Sequence, residues 1–181
     1  DDQPIVWPEY RAFPVKQSSW RPFQLAFLLM SLPGLNDLNS PDRHLVDLIW
    51  FPTGGGKTEA YLGVTAIVLF LRRLRYPTTC DGTAVIMRYT LRLLTAQQFQ
   101  RACTLICACE LIRRELPKEL GESPISIGLW IGHASTPNTL KEAFEALDSL
   151  VHGRETRSPF QVLSCPWCGT KIVRERDRER G

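Results

Sequence analysis

No stretch of this chain is long and apolar enough to span a bilayer. Its longest uncharged apolar run, Leu62 to Leu71, falls well short of the about 20 residues a membrane helix needs. The chain opens Asp1-Asp2-Gln3, with neither an initiator methionine nor a signal sequence, which reads as a segment of something longer. Without secretory features, its 6 cysteines point to reduced thiols or metal ligands, and so to a cytoplasmic setting. Neither sign of charge dominates: a net charge of +3 is compatible with nucleic acid and demands none. No internal repeat is visible. What remains is ordinary for a soluble globular protein, with 44% hydrophobic and 23% charged residues among 181. That length suits one domain with a real core, or a domain plus an appendage.

The informative stretch is Phe51-Pro52-Thr53-Gly54-Gly55-Gly56-Lys57-Thr58. It follows an apolar run that reads as a buried strand (45–50) and precedes a helical pattern beginning Thr58-Glu59-Ala60-Tyr61-Leu62. Glycines without Cβ atoms let a loop turn its amides inward around an anion, and the next helix adds its positive dipole end. In such a loop Gly54, Gly55 and Gly56 supply the amide cradle, with Thr53 beside them. Lys57 reaches the β- and γ-phosphates and the Thr58 hydroxyl ligates Mg²⁺, so these two are the candidate catalytic residues. The pattern asks for Gly or Ala where Phe51 stands. The alternative is a glycine-rich strand-to-helix turn that binds nothing.

The rest of the chain alternates. An extended, proline-bearing arm over 1–19 leads into a helix, Trp20 to Leu32, apolar nearly all round and so expected to be buried. Pro33-Gly34 should stop it. After the strand at 45–50, the loop and a helix ending near Arg72-Arg73, a second strand is expected over Thr83 to Arg88 and a long helix from about Leu91 to Leu116. A third strand over Ile125 to Ile131 and a helix opened by Thr136-Pro137 and running to about Val151 complete the series. Strands alternating with helices predict an α/β fold with a parallel sheet covered on both faces. Arg72, Arg73 and Arg75 read as the solvated end of a helix.

With these elements in order, the chain resembles superfamily 2 helicases. Arg21-Pro22-Phe23-Gln24 looks like their adenine-reading element, which implies that Gln24 binds adenine of ATP through its amide. A helix-start Gln facing solvent is the alternative. The stretch from Met87 to Gln98 stands where such enzymes grip the nucleic-acid backbone, implying contacts from Arg88, Thr90, Arg92 and Gln97. Trp130-Ile131-Gly132-His133 resembles their next contacting turn, which adds Gly132 and His133. The alternatives are an ordinary βα turn and a plain strand end. The wording "DLIWFPTGGGKTEAYLG" with "MRYTLRLLTAQQFQRA" is similar to the helicase subunits of bacterial DISARM anti-phage systems, the DrmA family, where Phe51 also fits.

That resemblance implies an ATP- and Mg²⁺-dependent helicase or translocase that binds DNA and works with a DrmB-type second subunit. Residues 20–158 would form part of a RecA-like first motor domain, an incomplete parallel sheet with flanking helices. Residues 159–181 would begin a cysteine-containing insertion. No Asp-Glu-x-His or Asp-Glu-x-Asp box follows Lys57, so the chain alone should turn ATP over hardly at all. Other readings are a phosphotransferase or GTPase-like protein, and a non-catalytic binding module with a structural loop.

Cys165-Pro166-Trp167-Cys168-Gly169 reads as half of a zinc-ribbon knuckle, with Cys165 and Cys168 as ligands and a second pair beyond the chain's end. A redox dithiol is the rival. Cys103, Cys107 and Cys109 share one expected helix and read as small apolar residues of a core. Lys171 to Arg180 reads as a solvated strand or arm.

Overall fold

The computed structural model describes residues 19–50, 52, 54–88, 92–131, 137–152, 154 and 162–172. The expected arm (1–18) lies outside them. Among the described residues there are five α-helices: α1 (Pro22–Asn36), α2 (Lys57–Arg75), α3 (Arg92–Glu115), the single turn α4 (Pro117–Leu120) and α5 (Leu140–Val151), with a 3-10 turn at Pro41–His44. The chain divides into two compact units, Asp1–Tyr61 and Leu62–Gly181.

The expected RecA-like parallel sheet is not formed. Among the described residues no strand occurs, and the one β-type pairing is an isolated antiparallel bridge between Ser164 and Lys171. The segments 45–50, 83–88 and 125–131, expected as strands, have no ladder partner. Several of their large apolar side chains face outward, Val46 at 96% exposure and Trp130 at 99%, although Ile125 is buried. A run of apolar residues records a preference for burial, but a strand exists only when a neighbour takes its hydrogen bonds. The described segments supply no such neighbour.

In the first unit, α1 starts where Pro22 fixes φ at the first helical position and Gln24 caps the end by accepting the Arg21 N–H at 2.8 Å. The helix does not stop at Pro33. It continues to Asn36, and the Asp37 N–H donates to the Pro33 carbonyl at 2.9 Å. Proline gives up its own N–H bond and crowds the carbonyl four residues back, a cost that one position near a helix end can bear. Nor is α1 largely buried, since only Gln24 and Leu28 are, while Leu29 and Met30 are exposed. Its inner face meets the 3-10 turn, where Arg43 Nη1 donates to the Gly34 carbonyl at 2.8 Å. It also meets the start of α2, where Phe27 and Tyr61 pack edge to face with ring centroids 6.1 Å apart.

The second unit is organised by buried arginines. Arg73 does not lie in solvent as expected for a helix end; it is 6% exposed and donates through Nη1 to the carbonyls of Leu120 (3.0 Å) and Ser123 (2.7 Å). Arg113 donates through Nη1 to the Gly121 carbonyl at 2.9 Å and through Nε and Nη2 to the two carboxylate oxygens of Glu110, each at 2.7 Å. Glu110 also accepts the Ile125 N–H at 2.8 Å. These bonds fix the chain after α4. The Arg113 guanidinium first, then the Ile125 N–H and Arg114, holds the Glu110 carboxyl down at about 2. The last helix begins three residues later than Thr136-Pro137 suggested. Thr139 Oγ1 accepts the Glu142 N–H at 3.2 Å, a side-chain N-cap, while Glu142 accepts the N–H of Asn138, the residue before the cap, at 2.9 Å. None of the described helices is long and apolar enough to cross a membrane.

Candidate functional site

The glycine loop sits where the sequence put it, directly ahead of a helix that opens on Lys57. A turn closes it: the Gly55 N–H donates to the Pro52 carbonyl at 3.1 Å. Gly54 and Gly56 both adopt positive φ, at 81° and 91°. At Gly56 the requirement for glycine is double. A side chain would be strained by the backbone and its Cβ would stand 2.8 Å from the Gln24 amide nitrogen. Beside Gly54 the space is open. Lys57 Nζ reaches back across the loop to the Pro52 carbonyl at 3.0 Å.

Two residues of the Arg-Pro-Phe-Gln stretch hold this loop from outside. Arg21 Nη1 donates to the Gly55 carbonyl and Gln24 Nε2 donates to the Gly56 carbonyl, both at 2.8 Å. Gln24 is 4% exposed, with its oxygen bonded to the Arg21 N–H. Its amide thus joins the helix start to the loop, and keeps one N–H and one lone pair beyond these two bonds. The structure therefore brings together Gln24, Gly54, Gly55, Gly56 and Lys57, with Thr58 in the first turn of α2. Arg21 was not singled out from sequence; the signal for it was an arginine at a proline-led helix start. Two loop carbonyls thus turn toward Arg21 and Gln24, while the Gly55 N–H turns to Pro52 within the loop.

Thr53 of this loop lies outside the described residues, as do Thr90, Gly132 and His133. Arg88 is exposed at the end of 83–88, Arg92 opens α3, and Gln97 is exposed on α3.

The cysteine turn closes on its own backbone. The Gly169 N–H donates to the Cys165 carbonyl at 2.9 Å, and the Cys165 N–H to the Thr170 carbonyl at 2.8 Å. Cys168 Sγ and the Thr170 hydroxyl lie 3.1 Å apart. Hydrogen bonds from the Thr170 side chain and N–H, with a smaller contribution from Cys165, hold the Cys168 thiol below its ordinary range. All six cysteines are free thiols. As the side chains stand, no three His, Cys, Asp or Glu among the described residues converge on a point that could hold a metal ion.

The loop geometry describes a class of site, a glycine turn with a lysine at a helix start. Sequence comparison names a relative. The chain is 47% identical over 161 residues to the DISARM protein DrmA of Bacillus paralicheniformis. The similarity covers 84% of this chain, which itself spans 14% of that protein's length. No family model matches the chain.

Proposed function

We propose that Gly54 to Thr58 form the triphosphate-binding loop of a DrmA-like ATP-dependent helicase or translocase acting on DNA in anti-phage defence. The observation that carries this reading is the loop itself. Positive φ at Gly54 and Gly56 leads straight into a 19-residue helix opened by Lys57. Its likeness to DrmA supports the setting in defence.

The donor set fits a nucleoside triphosphate. The amides of Gly54 and Gly56, that of Gly55 on leaving the Pro52 carbonyl, and the α2 dipole attract the phosphates, and the open space beside Gly54 admits them. Lys57 moves from the Pro52 carbonyl to the β- and γ-phosphates, exchanging a neutral acceptor for a charged one. Thr58 offers its hydroxyl to Mg²⁺, which would supply charge neutralisation between the phosphates. Gln24 keeps the loop in place and offers its remaining N–H and lone pair to the adenine edge. Arg88, Thr90, Arg92, Gln97, Gly132 and His133 are the candidate backbone contacts to DNA, and a DrmB-type subunit is the candidate partner.

Calorimetric titration with a non-hydrolysable ATP analogue and Mg²⁺ tests the reading. The chain should bind, Lys57→Ala should bind at least about tenfold more weakly, and GTP should bind more weakly than ATP. Equal binding by the unsubstituted chain and Lys57→Ala, or no binding by either, overturns it. Equal affinity for ATP and GTP would remove the adenine role of Gln24.

A further inference from the structure

The cysteine turn needs two more ligands to hold a metal, and the structure offers them on α3. The turn is docked there. The Thr104 hydroxyl lies 3.1 Å from the Pro166 carbonyl, between Cys165 and Cys168 in sequence, and 3.1 Å from the Gln100 carbonyl, its alternative acceptor within the helix. On a helix turning about 100° per residue, Cys107 falls between Cys103 and Thr104, about 40° round from Cys103. Cys107 therefore lies about 60° round the helix from the Thr104 contact, with Cys103, 6% exposed, one turn below on the same side. Cys109 points away, is 2% exposed and fills the core.

We propose that Cys103 and Cys107 of α3 complete, with Cys165 and Cys168, a four-thiolate structural zinc site that ties the turn to the helix. A Cys-x-x-x-Cys pair at i and i+4 presents two sulfurs on one face. A Cys-x-x-Cys turn presents two more, and tetrahedral zinc takes four at about 2.3 Å each. The four sulfurs do not converge as the side chains stand, so the proposed set closes only on binding the metal. The site thus lies wholly within the second unit and needs no ligand from beyond the chain.

The test is made on the whole 181-residue chain, purified under reducing conditions. Elemental analysis should find one zinc per chain, X-ray absorption should count four sulfur ligands, and Co²⁺ in its place should give the absorption of a tetrahedral thiolate site. Cys103→Ser and Cys107→Ser should each lower zinc affinity by more than about tenfold, and Cys109→Ser should leave it unchanged. Should the serine variants fail to fold, the sulfur count on the unsubstituted chain decides alone. Any count other than four, bound iron, or no metal with a Cys165–Cys168 disulfide overturns the site.

Discussion

The two loops proposed to carry chemistry in this chain differ in what supports them beyond their own backbone turns. The cysteine turn is closed by its own backbone, with bonds between Cys165, Gly169 and Thr170. The glycine loop has one such bond, Gly55 to Pro52, and is further held by side chains from far back in the chain, Arg21 on Gly55 and Gln24 on Gly56. A self-closed turn survives loss of a distant contact, because its geometry is specified within a few residues. A loop held from outside depends on each tether, because glycines resist no alternative conformation. The segment from Gly121 to Ile125 extends the second pattern, since Arg73, Arg113 and Glu110 fix its backbone groups from two helices.

The strongest way to break an externally held segment is to strike where it meets its support. Gly121 has φ 80° and ψ 164°, a region that is nearly glycine-only, and an added Cβ would lie 2.1 Å from the Pro77 carbonyl oxygen. Neither side of that clash is a flexible side-chain end. Gly121→Ala should cost about 4 kcal/mol or more, read as a lowered urea midpoint for unfolding of the chain. A variant with the wild-type midpoint would show that this backbone moves freely, against its arginine tethers.

Next in size is the carboxylate behind those tethers. Glu110 is held at about 2 against an ordinary 4.5, a folded-state value below the unfolded one. The stabilisation is therefore complete above about pH 4.5 and is lost as pH falls through about 2. With its side chain 14% exposed, the shift corresponds to about 3 kcal/mol. Glu110→Gln should lose about that much at pH 7, and the two proteins should converge near pH 2 by urea unfolding. A constant difference across that range would assign the effect to packing.

What could be read from the sequence follows the same division. The position of the glycine loop and the start of α2 were legible because their signals lie in consecutive residues. Long α3 was legible from its length and apolar content, within about one residue at each end. The strands were not, because pairing depends on residues elsewhere, and Val46, Trp50, Ile86 and Trp130 remain outward-facing in unpaired segments. Arg73 looked like any charged helix end; its burial depends on carbonyls at Leu120 and Ser123 that no local pattern reveals. The role of Gln24 was half legible, since its place before the loop was visible and its bond to Gly56 was not.

That bond gives a sharper test of external support. Gln24→Ala leaves the Gly56 carbonyl and the Arg21 N–H without partners in a part-buried place, a loss of about 1–2 kcal/mol. The first unit should also show faster amide exchange at Gly55 and Gly56 by mass spectrometry. Unchanged exchange would mean that Arg21 alone sets the loop.

The smallest effect is expected where closure is local and nothing is buried. The α5 cap is made by Thr139 and Glu142, three residues apart, and no residue of that helix is buried. Thr139→Ala removes an acceptor for the Glu142 N–H, worth about 1 kcal/mol. Because α5 contributes no buried side chain to the core, that loss should appear as fraying of its first turn, with little change in global unfolding. Amide exchange at Glu142 should accelerate about fivefold by nuclear magnetic resonance, while the urea midpoint stays within error. A clear fall in the midpoint would show that α5 is coupled to the rest of its unit, and that its cap is not self-contained.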